Sequence, residues 1–275
     1  MPYSEDQFKE AKWYVERTDQ RLGHIYLYQT AKESLIAKII RPQDVKTLTV
    51  KLDAFQKTFA RAPELALRLQ GIGPFRQAVI SRSSPRLPSD TTMIVVEAFS
   101  KDLNDEVNVR RLKGIDWDSS EIFNLLFICV IVYSMMEEAG VPIAPIRRNQ
   151  ILVVEKQFKI FAPVFFSSDP VEWASPSDQA FAERQFLDRR KELLLLLLCT
   201  KLLLPEPEKF QPLPDPQVFI ALLDPSNHLT EVLATLLADD AAPQRNFVQL
   251  RTELIARFPE FEYEPIDPAI LKNFR

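Results

Sequence analysis

Few groups in this chain could do chemistry, and their spacing excludes more than it allows. The two histidines, His24 and His228, lie far apart, and the two cysteines, Cys129 and Cys199, each sit inside an apolar run. A zinc site needs three or four such ligands brought together, so no metal site is expected. No Gly-x-Ser-x-Gly elbow is present, which leaves serine hydrolase chemistry without support. Between Glu97 and Glu121 the acids Asp102, Asp105, Glu106, Asp116 and Asp118 could supply paired carboxylates for acid–base work. Helix caps and a solvated face account for them more simply. Gly71-Ile72-Gly73 is a lone Gly-x-Gly followed by Pro74 and is expected to be a simple turn. The 19 phenylalanines suit cores better than a stacking platform for nucleic-acid bases.

The elements that must position these groups change character near residue 100. Before it, Gly23–Tyr28 and Leu35–Ile40 read as two strands of a hairpin. Arg41-Pro42 ends the second. Val45–Ala60 carries Leu48, Leu52, Phe55 and Phe59 at helical spacing, with Pro63 beyond. Phe75–Ser81 and Thr92–Phe99 are further strand candidates, separated by the polar turn Ser83–Asp90. After Ser100 helices take over. Ser119-Ser120-Glu121 opens a long apolar run that Gly140 stops. Ser177–Leu204 reads as one or two helices closed by the proline-rich Pro205–Pro216, and Val218–Leu223 and His228–Ala238 are shorter helices. Asn246–Phe258 is amphipathic, and Pro259–Arg275 reads as an extended surface tail. The class is α+β, a small sheet with one packed helix followed by a larger helical part.

Composition bounds the setting. A chain of 275 residues, 46% hydrophobic and 26% charged, suits one large domain or two lobes sharing a core. A formal net charge of −4 argues against a general nucleic-acid or anionic-membrane surface, so neither is an expected partner. Ile122–Met136 is uncharged, but as a helix it spans about 22 Å, short of a ~30 Å hydrocarbon core. It reads as a buried helix, as does the Leu193–Leu198 run. Two cysteines in apolar runs and a polar N-terminus, MPYSEDQFKEAKW, lead us to expect reduced thiols and a cytoplasmic protein.

One stretch carries a more specific signal. In Ala139–Val164, AGVPIAPIRRNQILVVEKQFKIFAPV, Gly140 follows the apolar helix, Arg147 sits in a loop, Ile151–Val154 makes a strand, and Lys159-Ile160 follows. This cadence resembles the catalytic loop of the protein-kinase superfamily. In that family a helix leads through a glycine step into His-Arg-Asp, a basic residue and an asparagine. A strand and Lys-Ile-x-Asp-Phe-Gly come next. Here Ile143-Ala144-Pro145 stands where His-Arg-Asp would be and Ala162-Pro163-Val164 where Asp-Phe-Gly would be. Pro145 replaces the base, Gln150 the metal-binding asparagine and Ala162 the metal-binding aspartate, so the resemblance is to a catalytically dead member, a pseudokinase.

The resemblance implies a bilobal kinase-like fold, with an N-lobe at 1–99, a helical C-lobe at 100–258 and a tail at 259–275. Lys38 would be the lysine of the third strand and Asp53 the nearest acid to its helix partner, the only candidate nucleotide-binding pair. If Gly23 is the third glycine of the phosphate loop, Thr18 and Gln20 replace the other two, in a chain with only 5 glycines. Thr92–Glu97 would be the strand entering the hinge. Ser175-Pro176-Ser177 stands where Ala-Pro-Glu would close the activation segment, and Asp188 where an aspartate braces the loop from below. Arg245 stands where the late-lobe arginine would be.

These substitutions imply no cofactor, and ATP binding that is absent or weak. The expected function is a scaffolding or structural module that binds proteins in a larger assembly, cytoskeletal or similar, with the tail as the preferred contact. The alternatives are a helical adaptor unrelated to kinases and a divergent nucleotide-binding transferase.

Overall fold

Among the described residues, strand-forming segments of the first hundred positions make a sheet, and the long helices follow residue 100. The computed structural model describes residues 14–19, 23–29, 34–40, 57–59, 62–66, 69–74, 92–97, 101–140, 143, 145–154, 157–160, 179–210, 212, 214–234 and 246–258. Five strands, β1 (Tyr14–Asp19), β2 (Gly23–Gln29), β3 (Ser34–Ile40), β4 (Leu69–Pro74) and β5 (Thr92–Glu97), form an antiparallel sheet in the order β1-β2-β3-β5-β4. The expected hairpin is β2–β3, with Tyr28 opposite Leu35, and the expected strand before the hinge is β5.

Gly71-Ile72-Gly73 is not a turn. It lies inside β4, which shifts register between Leu69 and Gly71 as it pairs with β5. Glycine within a strand commonly marks such a bulge, because the missing side chain lets the backbone kink. The strand expected at Phe75–Ser81, the turn at Ser83–Asp90 and most of the Val45–Ala60 helix lie outside the described residues, of which 57–59 keep a last helical turn.

Beyond the sheet, β6 (Lys101–Asp102) leads into α1 (Leu103–Lys113) and α2 (Ser119–Glu138). β6 also pairs with the hairpin β7 (Ile151–Val154) and β8 (Gln157–Ile160). α3 (Gln179–Lys201), α4 (Pro216–Ile220), α5 (His228–Val232) and α6 (Phe247–Arg257) complete the helical part. Of the acids between Glu97 and Glu121, Asp102, Asp105 and Asp118 serve as caps, while Glu106 pairs with Lys101 and Arg110. Asp102 accepts from Asp105 N at 2.8 Å at the head of α1. Asp118, one residue before the expected opening, caps α2 through Ser120 N at 2.9 Å while Glu121 reaches back to its amide.

The 20-residue helix α2 is long and apolar enough to cross a membrane, with mean hydropathy 1.7, yet 78% of that stretch is buried within the protein. It is the central helix of the core. Ile122 to Met136 are buried except Asn124, and the leucine run of α3 packs into the same cluster. Cys129 and Cys199 are buried and free, as expected, and burial pushes the Cys129 thiol far up, away from reactivity. The same core takes in Phe59, Ala62, Leu65 and Ala66 from the sheet-bearing half, where Ala66 bridges Ile160 of β8.

Candidate functional site

The loop between α2 and β7, where the resemblance expects a base and a metal ligand, is held by two helices, α2 and α3. From α2, the buried Tyr133 hydroxyl accepts the Ile146 amide at 2.9 Å. Burial drives that phenol far above its ordinary range, so it stays neutral. From α3, Arg189 Nε donates to the Ile143 carbonyl at 3.0 Å, and the same guanidinium meets Glu192 at 2.5 Å. Arg148, 1% exposed, reaches the end of α3, donating to Thr200 Oγ1 at 3.2 Å and the Leu204 carbonyl at 2.7 Å. A buried guanidinium carries a large desolvation cost, which such hydrogen bonds offset.

Gln150 clamps the loop on itself. Its side-chain oxygen accepts the Arg147 amide at 2.9 Å, while its own amide donates to the Arg147 carbonyl at 2.9 Å. The residue is 4% exposed. The Gln150 oxygen is thus turned into the loop as a backbone clamp, while the Oδ1 of the neighbouring Asn149 is buried without a hydrogen-bond partner among the described residues. Pro145, half-buried, offers neither charge nor amide proton at the base position. Ala162 lies outside the described residues. Among those described, no group of three or more metal-ligating side chains comes together.

The other expected site residues divide in the same way. Lys38 is on β3, opposite Ile25 of β2 and Ile94 of β5. Asp53, the residue expected to pair with it, lies outside the described residues, as do Gln20, Ser175-Pro176-Ser177 and Arg245. Thr18 and Gly23 lie at the end of the β1–β2 hairpin, where Thr18 is opposite His24 and Asp19 is opposite Gly23 in the last pair. Asp188 does not brace the loop: it is exposed, and its neighbour Arg189 makes the contact. A helix turns about 100° per residue, so only one of the two can face the loop.

A buried arginine missed by the motif comparison sits on α6. Arg251 donates to Ser134 Oγ and to Glu138 Oε1, both at 2.9 Å, and its side chain is 8% exposed. Glu137 accepts the amides of Phe247 and Val248 at 3.0 and 3.1 Å, capping α6 from across the helix pair. Burial still raises the Glu137 carboxyl above its ordinary value, outweighing those two amides. The signal available in the sequence was periodicity: Arg251 shares the helical face of Phe247, Leu250 and Leu254, where a charge is out of place unless paired.

No protein-family model matches the chain, and no curated protein matches it. Solved structures do. The chain is similar to the PknI kinase domain of Mycobacterium tuberculosis at 13% identity and a TM-score of 0.53, covering 89% of this chain and 94% of that one. It is similar to vaccinia related kinase 3 at 13% identity and a TM-score of 0.54, covering 94% and 91%. A PAN3 pseudokinase mutant from Neurospora crassa gives 14% identity and a TM-score of 0.63, over 96% of this chain and 67% of that one. The fold is therefore that of a protein kinase, α+β with a small sheet and a larger helical part. With a five-stranded sheet in place, a purely helical adaptor is set aside.

Proposed function

We propose that this chain is a catalytically inactive kinase-like protein that serves as a protein–protein interaction module in a larger assembly. The observation that carries the proposal is the loop at 143–150. Its base position holds Pro145, and the oxygen of Gln150 at the metal position is committed to the Arg147 amide. Phosphoryl transfer depends on positioning a nucleophile and on metal ions that neutralise developing charge. The loop holds no acid to act as base or metal ligand, its position aligned with the metal-binding asparagine is Gln150, and the Asp-Phe-Gly position reads Ala162-Pro163-Val164. A kinase-like structure relieved of catalysis can serve through its surface. The pseudokinase of Neurospora crassa PAN3, similar in fold, is known in a complex with PAN2.

The tail at 259–275 is the proposed main contact of this chain, since Phe261, Tyr263 and Phe274 offer aromatic anchors among prolines that lower the ordering cost. A cytoplasmic assembly, cytoskeletal or similarly large, is the proposed setting. Sizing and affinity purification from native extract test the reading. The full chain should migrate in a high-mass species with stoichiometric partners, and deleting 259–275 should weaken their recovery while thermal unfolding stays unchanged. A full-length chain that migrates as a monomer, with nothing co-purifying, contradicts it.

A further inference from the structure

We propose that the exposed face of α4 and the turn after it form a docking surface for a basic, amphipathic helical segment of a protein partner. The proposal rests on the reading of the chain as an interaction module and gives that module a second surface besides the tail. Val218 is 59% exposed and Leu222 65%, two of the large apolar side chains left open among the described residues. The Ala221 amide donates to the Gln217 carbonyl and the Leu222 amide to the Phe219 carbonyl, both at 3.1 Å, so the chain winds on past Ile220. Val218 and Leu222, four residues apart, therefore share one face, with exposed Ala221 beside them. Single exposed apolar side chains are ordinary, whereas neighbouring ones form a patch.

The opposite face anchors the patch. Pro216 and Phe219 are buried, and the Phe219 ring packs on Phe210 with centres 5.9 Å apart. Asp215 caps α4 by accepting the Gln217 amide at 3.0 Å. Beyond the patch, the Asp224 carboxylate accepts the amide and hydroxyl of Ser226 at 2.9 and 2.7 Å, and its carbonyl accepts the Thr230 hydroxyl at 2.7 Å. Asn227 then donates to Ser119 at the head of α2, at 2.9 Å. A partner would meet a surface already ordered, which reduces the entropy cost of binding.

The charge around the patch has one sign. Asp215 stands three residues before Val218 and Asp224 two after Leu222; both are exposed, and neither is in an ion pair among the described residues. Hydrogen bonds from Ser226 hold the Asp224 carboxyl below its ordinary range, so it stays charged. Further on, Glu231 of α5 is exposed as well, with His228 at 3.2 Å. From Gln211 to Gln244 the sequence has no lysine or arginine, so the exposed side chains of 209–234 set one lysine, Lys209, against these three acids. On α3, against which α4 packs, the exposed Arg184 and Lys191 are matched by exposed Asp188 and half-buried Glu183.

That sign decides among occupants. An acidic rim repels nucleic-acid phosphates and anionic lipid headgroups. The tail at 259–275 carries Glu260, Glu262, Glu264 and Asp267 against Lys272 and Arg275, so it shares the sign of the rim and is not the occupant. A second copy of the chain, at net charge −4, shares it too. Complementary charge around an apolar anchor is the arrangement that steers and registers a partner. An amphipathic helix with leucines at three- and four-residue spacing and lysines beside them fits it.

The test uses the full chain and a fluorescent synthetic helical peptide of that pattern, with a charge-reversed peptide in which glutamate replaces each lysine. The basic peptide is expected to bind and the reversed one to bind at least about tenfold more weakly. Val218→Ser with Leu222→Ser should lower affinity for the basic peptide by about tenfold or more. Asp215→Asn with Asp224→Asn keeps side chains that can cap and removes their charge, so the preference between the peptides should fall to within about threefold. All four positions are exposed, so thermal unfolding should be little changed, and circular dichroism checks this.

Equal binding of both peptides by wild type, or binding unchanged in the Val218/Leu222 variant, overturns the proposal. So does binding of the basic peptide that is lost on deleting 259–275 and kept in the Val218/Leu222 variant, which would put it on the acidic tail. Self-association that disappears in that variant, in place of peptide binding, overturns it as well. If partners are recovered from native extract equally by wild type and by the Val218/Leu222 variant, the surface assignment fails while the module reading stands. If wild type recovers none, the module reading itself fails, and the surface with it.

Discussion

Pro145 brings no charge to its loop, and the residues around it are held by a different set of hydrogen bonds from those an aspartate would organise. Tyr133, Arg189, Gln150 and Arg148 all act on the backbone or on neighbouring helices. Arg148 is the most deeply committed. Arg148→Ala is expected to cost about 3 kcal/mol, because it leaves the Leu204 carbonyl and Thr200 without their donor and opens a cavity. The check is a lower urea midpoint with an unchanged slope.

Glu106 offers a pH signature at the same scale. Burial pushes its carboxyl up, but the hydrogen bonds and charges of Arg110 and Lys101 more than offset this and hold it below its ordinary value. A carboxyl lowered in the folded state stabilises above its unfolded value and loses that contribution as pH falls through the folded one. Stability should therefore drop as pH falls below about 4.3. In urea titrations across that range, the Glu106→Gln protein should show a smaller drop and a lower midpoint at neutral pH. Parallel curves for the two proteins would contradict the pairing.

At the scale of elements, α6 is docked by polar groups as much as by its apolar face. Glu137 caps it through two amides while Arg251 crosses to Ser134 and Glu138. Phe247 meanwhile packs between Tyr133 and Phe186, with ring centres 4.5 and 5.0 Å away. Glu137→Ala should cost about 1–2 kcal/mol, the scale of a lost helix cap. Hydrogen exchange at Phe247 and Val248 should accelerate more than at α2 amides.

Much at this scale was readable from sequence. The β2–β3 hairpin, β5, α2 and α6 follow from alternation, helical spacing and capping residues. β4 was misread because its glycines serve a bulge in a strand, which the residues alone do not separate from a turn. Gln150 was legible as a motif position, but its use as a clamp depends on loop geometry that a motif does not encode. Asp188 and Arg189 show the same limit: which of two adjacent helix residues faces a loop is set by the phase of the helix. Arg251 was within reach, since it interrupts an apolar stripe, and comparison of motifs drew attention to Arg245 instead.

At the scale of the whole molecule, one core joins Phe59, Ala62, Leu65 and Ala66 to α2, α3, α5 and α6, and the fold is kinase-like although no kinase motif in the sequence is intact. Catalytic chemistry and fold are separable in this way because the core is set by apolar burial, whereas the chemistry rests on a few surface-loop residues. The most direct test of the account is incubation of the purified full chain with γ-labelled ATP and Mg²⁺, alone and with a general protein substrate, beside a Lys38→Ala control. The account predicts no incorporation above background and no difference between the two proteins. Magnesium-dependent labelling that is abolished by Lys38→Ala would contradict it, and would favour the divergent nucleotide-dependent transferase.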